Sequence, residues 1–134
     1  MSAEAEVRDM LALTRKYYAR LRELLAQVPA GKLEWRPAPD HLSAEETLRH
    51  VCEADRWYME LLGHGAAPTD DTESTMCACL ASLDEAALER TAVVPGWWGE
   101  GRPQPARLIL IQSLAHKYYH CGQLQALLHT LAGD

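Results

Sequence analysis

The chain has 134 residues, 48% of them apolar, and 13 basic against 19 acidic side chains give a formal net charge of −6. This length suits one domain spanning 1–134, and the apolar content is too high for a disordered chain. The acidic balance, with no basic stripe, argues against a nucleic-acid partner, which would need clustered Lys and Arg to neutralise phosphates. No apolar run approaches the roughly 20 residues of a membrane span. The polar, acidic start MSAEAEVRDM is neither a signal nor a transit peptide. A cytoplasmic protein without a membrane partner is therefore expected.

The first element is a helix over residues 3–28. Val7, Leu11, Thr14, Tyr18, Leu21, Leu25 and Val28 alternate four- and three-residue steps, which draws one stripe along a helix. Met10, Leu13, Tyr17 and Leu24 form a second strip beside it, so this helix needs more than one neighbour. Pro29 and Gly31 end it. Trp35-Arg36-Pro37-Ala38-Pro39 cannot be helix interior, and 30–42 reads as a connection. Ser43 to Glu46 is a capping box that starts a second helix, which runs to about Leu62 and stops at Gly63-His64-Gly65. A polar loop over 66–71 follows, then a shortened third helix over 72–82. Ser82 or Asp84 caps a further short turn through Arg90. Residues 91–105 read as a long irregular loop that shapes a site or a partner surface, with Trp97 and Trp98 covering a pocket mouth, anchoring a partner or folding onto the bundle end. No strand alternation of useful length is present. The last helix starts near Pro105 and continues to about Leu131. These helices predict an all-α, four-helix bundle.

Four cysteines, Cys52, Cys77, Cys79 and Cys121, are expected as reduced thiols in a chain without an export signal. Cys77 and Cys79 stand two apart, about 200° around a helix, and would not chelate one ion.

The histidines are placed differently. His116 and His120 are separated by one turn and share a face with Ile109, Ser113, Gln123, Leu127 and Leu131. That i, i+4 spacing is the one by which a helical HExxH grips zinc. On the second helix, His50 shares its face with Leu61, Ala54, Thr47 and Trp57 and is expected to point into the core. Three inward imidazoles either hydrogen-bond within the core or hold a metal through their lone pairs. In the second case, three neutral ligands leave a coordination position open, as in catalytic sites. Imidazole suits zinc, nickel, copper and iron.

Around this face, Glu53 offers a base or a carboxylate orienting an imidazole, against a plainly solvated role. Tyr119 lines the site or packs, Gln123 hydrogen-bonds near the metal, and Trp57 packs beside it. Gly122 leaves room for a neighbouring backbone. His41, His64 and His129 read as surface residues. A second apolar stripe on the last helix, with Leu110, Leu114, Tyr118, Cys121 and Leu128, predicts cover by a third helix or by a second subunit.

His116-Lys-Tyr-Tyr-His120-Cys-Gly122-Gln123-Leu124 resembles the HxxxHxGQ signature in the last helix of the DinB-like (DinB/YfiT) superfamily. Leu48-Arg-His50-Val-Cys-Glu-Ala-Asp-Arg-Trp57 is similar to its second-helix histidine segment, and Trp35-Arg36-Pro37 to the tryptophan–proline loop before it. The resemblance spans nearly the whole chain. It implies a four-helix bundle with one divalent metal ion (zinc, nickel or iron) on His50, His116 and His120. It also implies a metal-dependent enzyme, in the first place an S-transferase using a low-molecular-weight thiol and in the second a hydrolase, acting on a small-molecule substrate, and a homodimer. The alternative on the same fold is a non-catalytic metal-binding or stress-induced interaction protein. No segment matches a thiol-cofactor binding motif.

Overall fold

The computed structural model describes residues 2–64, 71–96 and 99–133. The elements in chain order are α1 (Ala3–Ala26), a 3-10 turn (Ala30–Lys32), α2 (Ala44–Leu61), α3 (Thr72–Ala81), α4 (Glu85–Glu89), β1 (Thr91–Val94), β2 (Arg102–Pro105) and α5 (Ala106–Leu131). No helix among the described residues is long and apolar enough to cross a membrane.

Each helix start is written in the sequence. The backbone N–H groups of a first turn have no partner inside the helix; side-chain oxygens accept from them at α1, α2, α3 and α4, whereas α5 starts after Pro105 without a side-chain cap. Ser2 accepts from the Ala5 amide at 3.1 Å, Asp71 from Ser74 at 3.0 Å and Asp84 from Ala87 at 2.8 Å. At α2 the box is reciprocal: the Glu46 amide donates to Ser43 Oγ at 3.1 Å, and the Ser43 amide donates to Glu46 Oε1 at 3.0 Å. Arg36, in the proline-rich connection, grips the same carboxylate through two N–H groups at 2.9 and 2.5 Å. The connection is thereby tied to the first turn of α2.

α1 and α2 each pack against both α3 and α5. The bundle holds two main apolar clusters along its length. One contains Tyr18, Leu21, Leu24, Val28, Val51, Leu124 and Leu127. The other contains Val7, Met10, Met59, Met76, Leu80, Leu88 and Leu110. α3 has 10 residues against 24 in α1, and it supplies buried apolar side chains to the second cluster alone. The third helix is short, as expected. Between the two clusters lie buried polar groups from three helices: Thr14 and Tyr18 on α1, Asp55 on α2, and Ser113 and Lys117 on α5.

The irregular loop expected over 91–105 is corrected by a β-hairpin. β1 and β2 pair antiparallel, with Thr91 opposite Pro105 and Val94 opposite Arg102. Four residues a side are too few for alternation to show, and the prolines mask β2. Proline is tolerated here because each strand is an edge. The β-branched Thr91, Val93 and Val94 favour extended backbone. Gly99 lets the turn close: a Cβ there would stand 2.3 Å from the Val94 carbonyl oxygen.

Gly99→Ala is expected to lower stability by about 1–3 kcal/mol, the usual range for forced overpacking. Gly31→Ala, where an added Cβ meets nothing within 4 Å, should leave the denaturation midpoint within error of the parent. Chemical denaturation of both variants checks this.

Candidate metal centre

α5 places His116 and His120 one turn apart, and α2 brings His50 against them. His116 Nε2 lies 3.0 Å from His50 Nε2 and 3.0 Å from His120 Nε2. The three rings meet edge to face, with centroids 4.4 to 4.9 Å apart. Among the described residues this is the group of three or more His, Cys, Asp or Glu that could hold a metal ion. Ligand nitrogens bound to one ion at about 2.0–2.1 Å stand roughly 3.0–3.4 Å from each other. The two contacts to His116 match that spacing, and the three ligand atoms all lie within 4.8 Å of one another.

Hydrogen bonding cannot satisfy the cluster by itself. A neutral imidazole has one donor nitrogen and one acceptor nitrogen. If His116 carries its proton on Nε2, it can donate to one neighbour only. If it carries the proton on Nδ1, that N–H is stranded, because Nδ1 of His116 and of His120 is buried without a partner. A cation would take all three converging Nε2 lone pairs at once, which hydrogen bonds among the rings cannot do. The Nδ1–H groups of His116 and His120 lack a protein partner in either arrangement, so the convergence of the Nε2 atoms is what favours an ion. The residues present therefore fit such an ion.

The electrostatics suit the same role. Burial first, then the fields of His120 and His50, push His116 from the ordinary 6.5 down to about 4. Burial and His50 lower His120 as well. Neutral imidazole is the form that binds a metal, so neither ring must lose a proton at neutral pH before doing so.

The expectation that all three rings point into the core needs correction. His120 is buried and His116 half-buried, but His50 is exposed. α2 buries Val51, Asp55, Tyr58 and Met59, an arc centred roughly 120° around the helix from His50. The cluster consequently lines a surface cleft. That cleft, of about 560 Å³, is lined by all three histidines together with Asp40, His41, Leu42, Gln112, Ala115, Tyr119 and Gln123.

The other expected site residues fall around it. Gln123 lines the cleft and donates to the Tyr119 hydroxyl at 3.0 Å. Tyr119 is exposed, its ring 5.1 Å from that of His120. Trp57 and Glu53 line a neighbouring cleft that shares His50, His116 and Gln112; Glu53 is exposed. Gly122 meets no neighbouring backbone, for an added Cβ there has nothing within 4 Å. His129 is exposed, as expected, whereas His64 is half-buried. His41 is exposed but belongs to the cleft wall. The four cysteines are free. Trp97 and Trp98 lie outside the described residues.

Sequence reading passed over Gln112, one turn before His116 on the ligand face. It also passed over the buried pair of Asp55 and Lys117. A signal was available, since Lys117 falls between the two apolar stripes assigned to α5. In the structure these merge into one buried arc through Ile109, Ser113, Lys117, Leu124 and Cys121. Tyr118, expected to be covered, is 67% exposed.

Because the folded state holds His116 at about 4 against an ordinary 6.5, the unfolded chain binds more protons between those values. Stability of the metal-free protein should therefore fall as pH drops through that window. Denaturation at pH 7 and pH 5 checks this, with His116→Asn expected to lose less stability than the parent on acidification.

No family model and no curated protein matches the sequence. Among solved structures, the chain is similar to a DinB-like protein, YjoA, from Bacillus subtilis, with a TM-score of 0.75 and 19% identity over 92% of each chain. At that likeness over nearly the whole length, this chain has the DinB-like fold.

Proposed function

We propose that the chain binds one divalent metal ion through His50, His116 and His120 and is a metal-dependent enzyme that uses a low-molecular-weight thiol. The observation that supports this best is that all three histidines line one surface cleft. Three Nε2 atoms converge there, and about 560 Å³ of space lined by all three rings lies beside them. Ligand sites commonly have this size. A closed structural site would need a fourth protein ligand, and among the described residues the cluster has three. The resemblance to the DinB-like superfamily supports the thiol and the choice among zinc, nickel and iron.

A bound cation would supply positive charge that keeps a thiol ionised at neutral pH. In a transfer reaction the thiolate sulfur forms a bond to an electrophilic carbon. The leaving group departs with its bonding pair, and the thiol proton passes to a base or to water. The chain's own residues hold the reactants. Gln112, Gln123 and Tyr119 offer hydrogen bonds along the first cleft, and Trp57 and Tyr58 offer apolar walls in the second. Glu53, on the wall of the second cleft, is the candidate base. Hydrolysis by an activated water is the lesser reading of the same site. A non-catalytic metal-binding protein is the alternative, and the open cleft counts against it. We further infer a cytoplasmic homodimer without nucleic acid. The exposed Ile111 and Tyr118 on α5 support an isologous contact.

Plasma mass spectrometry of protein purified without a histidine tag tests the site. Near one metal per chain is expected, lost in a folded His116→Ala, His120→Ala variant. A parent that holds no metal even after reconstitution would overturn the reading. With metal in place, calorimetry against small thiols should show binding, and its absence would remove the transferase assignment while leaving the metal site.

A further inference from the structure

His116 and His120 are fixed relative to each other by the helix that carries both. His50 is not. It stands on α2, it is exposed, and its 3.0 Å approach to His116 depends on how far α2 has slid or turned against α5. A displacement of about 1 Å would spoil ligation whose bond lengths hold to within roughly 0.2 Å. Something must set that register. Apolar packing between α2 and α5 does so loosely, because burial is non-directional.

A directional contact spans the same two helices close by. The Lys117 side chain is 0% and that of Asp55 1% exposed, and Nζ donates to Oδ1 at 2.7 Å and to Oδ2 at 2.8 Å. Ser113 Oγ accepts from Lys117 at 2.6 Å and donates to Asp55 Oδ1 at 2.9 Å. Tyr18 on α1 donates to Asp55 Oδ2 at 2.5 Å. Lys117 directly follows the ligand His116. Asp55 lies five residues after the ligand His50, about 7.5 Å along α2. Pairing runs in opposite senses along the two helices. His50 meets His116, Asp55 meets Ser113 and Lys117, and Tyr58 shares a cluster with Ile109. Fixing Asp55 on Lys117 therefore fixes where His50 falls.

We propose that the buried Tyr18–Asp55–Ser113–Lys117 network is the register device of the metal centre, with Asp55 and Lys117 as its positioning residues. The proposal rests on the metal reading above. Buried ion pairs are frequently neutral or unfavourable for stability compared with apolar replacements of similar volume, and their best-attested benefit is a unique register. Register is the quantity a site split between two helices needs. The network contributes no atom to the cluster and touches none of its three imidazoles by hydrogen bond. Asp55 and Lys117 also reach His116 directly through their fields, which oppose each other, so the positional influence that passes through the helices is read in a variant that removes the charges and keeps the hydrogen bonds.

The test separates stability from metal binding. The variant Tyr18→Phe, Asp55→Leu, Ser113→Ala, Lys117→Met removes every polar group of the network at once and leaves none stranded. Its midpoint of thermal unfolding without metal is expected to equal or exceed the parent's. Its zinc affinity, from competition with a chromophoric chelator, should fall at least tenfold, and the visible spectrum of its cobalt-loaded form should differ from the parent's. Asp55→Asn with Lys117→Gln keeps directional hydrogen bonds without the charges and should recover most of the affinity. Parental affinity and a parental cobalt spectrum in the all-apolar variant would overturn the proposal. Should that variant fail to fold, Tyr18→Phe removes one hydrogen bond and nothing from the site. Two- to threefold weaker zinc binding is then expected, and unchanged binding overturns it. A parent that binds no metal would end both this inference and the reading beneath it, whereas a variant that binds like the parent ends this inference alone.

Discussion

The contact on which the rest of the molecule turns is the buried pair between Asp55 and Lys117. A charge moved from water into a protein interior is costly unless it is paired and every remaining hydrogen-bonding position is filled. Here both carboxylate oxygens accept from the ammonium, and Ser113 and Tyr18 take further positions on them. Burial pulls the Lys117 pKa below its usual value against the opposing field of Asp55. Such a group tolerates little movement, because displacement strands a charge where water cannot reach it. The pair lies between the two apolar clusters of the bundle and joins α1, α2 and α5 at mid-height. An apolar bundle would have many near-equivalent ways to slide, and this layer removes them.

The histidine cluster shows how fold and chemistry divide the work. One helix supplies two of the imidazoles by its own periodicity, and pairing with a second helix supplies the third. Exposure grades across the cluster, from buried His120 through half-buried His116 to exposed His50. That gradient gives the centre a dry side, where imidazoles stay neutral, and a wet side, where a ligand can approach. A cluster buried on every side would be closed to substrate. One exposed on every side would leave its histidines near their ordinary pKa. The fold alone does not name a reaction, since one architecture hosts many chemistries. The cleft beside the cluster and the groups lining it are what the proposed function rests on.

Much of this was legible in the residues. The helix boundaries follow from caps and breakers that act within a few residues: Ser43 with Glu46, Asp84, Pro29 and Pro105. The pairing of His116 with His120 follows from a single helical turn. The hairpin was not legible. Its strands have four residues each, one of them carries two prolines, and its closure depends on a glycine packed against Val94. Pairing between segments eight residues apart leaves no periodic trace over such a length.

By itself, the sequence determined the local matters: where helices begin and end, which faces are apolar, that the third helix is short, and that two imidazoles stand together on the last helix. These are set by interactions spanning a turn or less. Tertiary structure decided that His50 reaches those two imidazoles from the edge of a cleft and not from the core. It also decided that the charged side chains of Asp55 and Lys117, 62 positions apart, are each other's partner. The physical reason is common to both. Burial and pairing between helices depend on the rotation and register of whole elements, and a change of one residue's step around a helix, about 100°, exchanges a buried face for a solvated one.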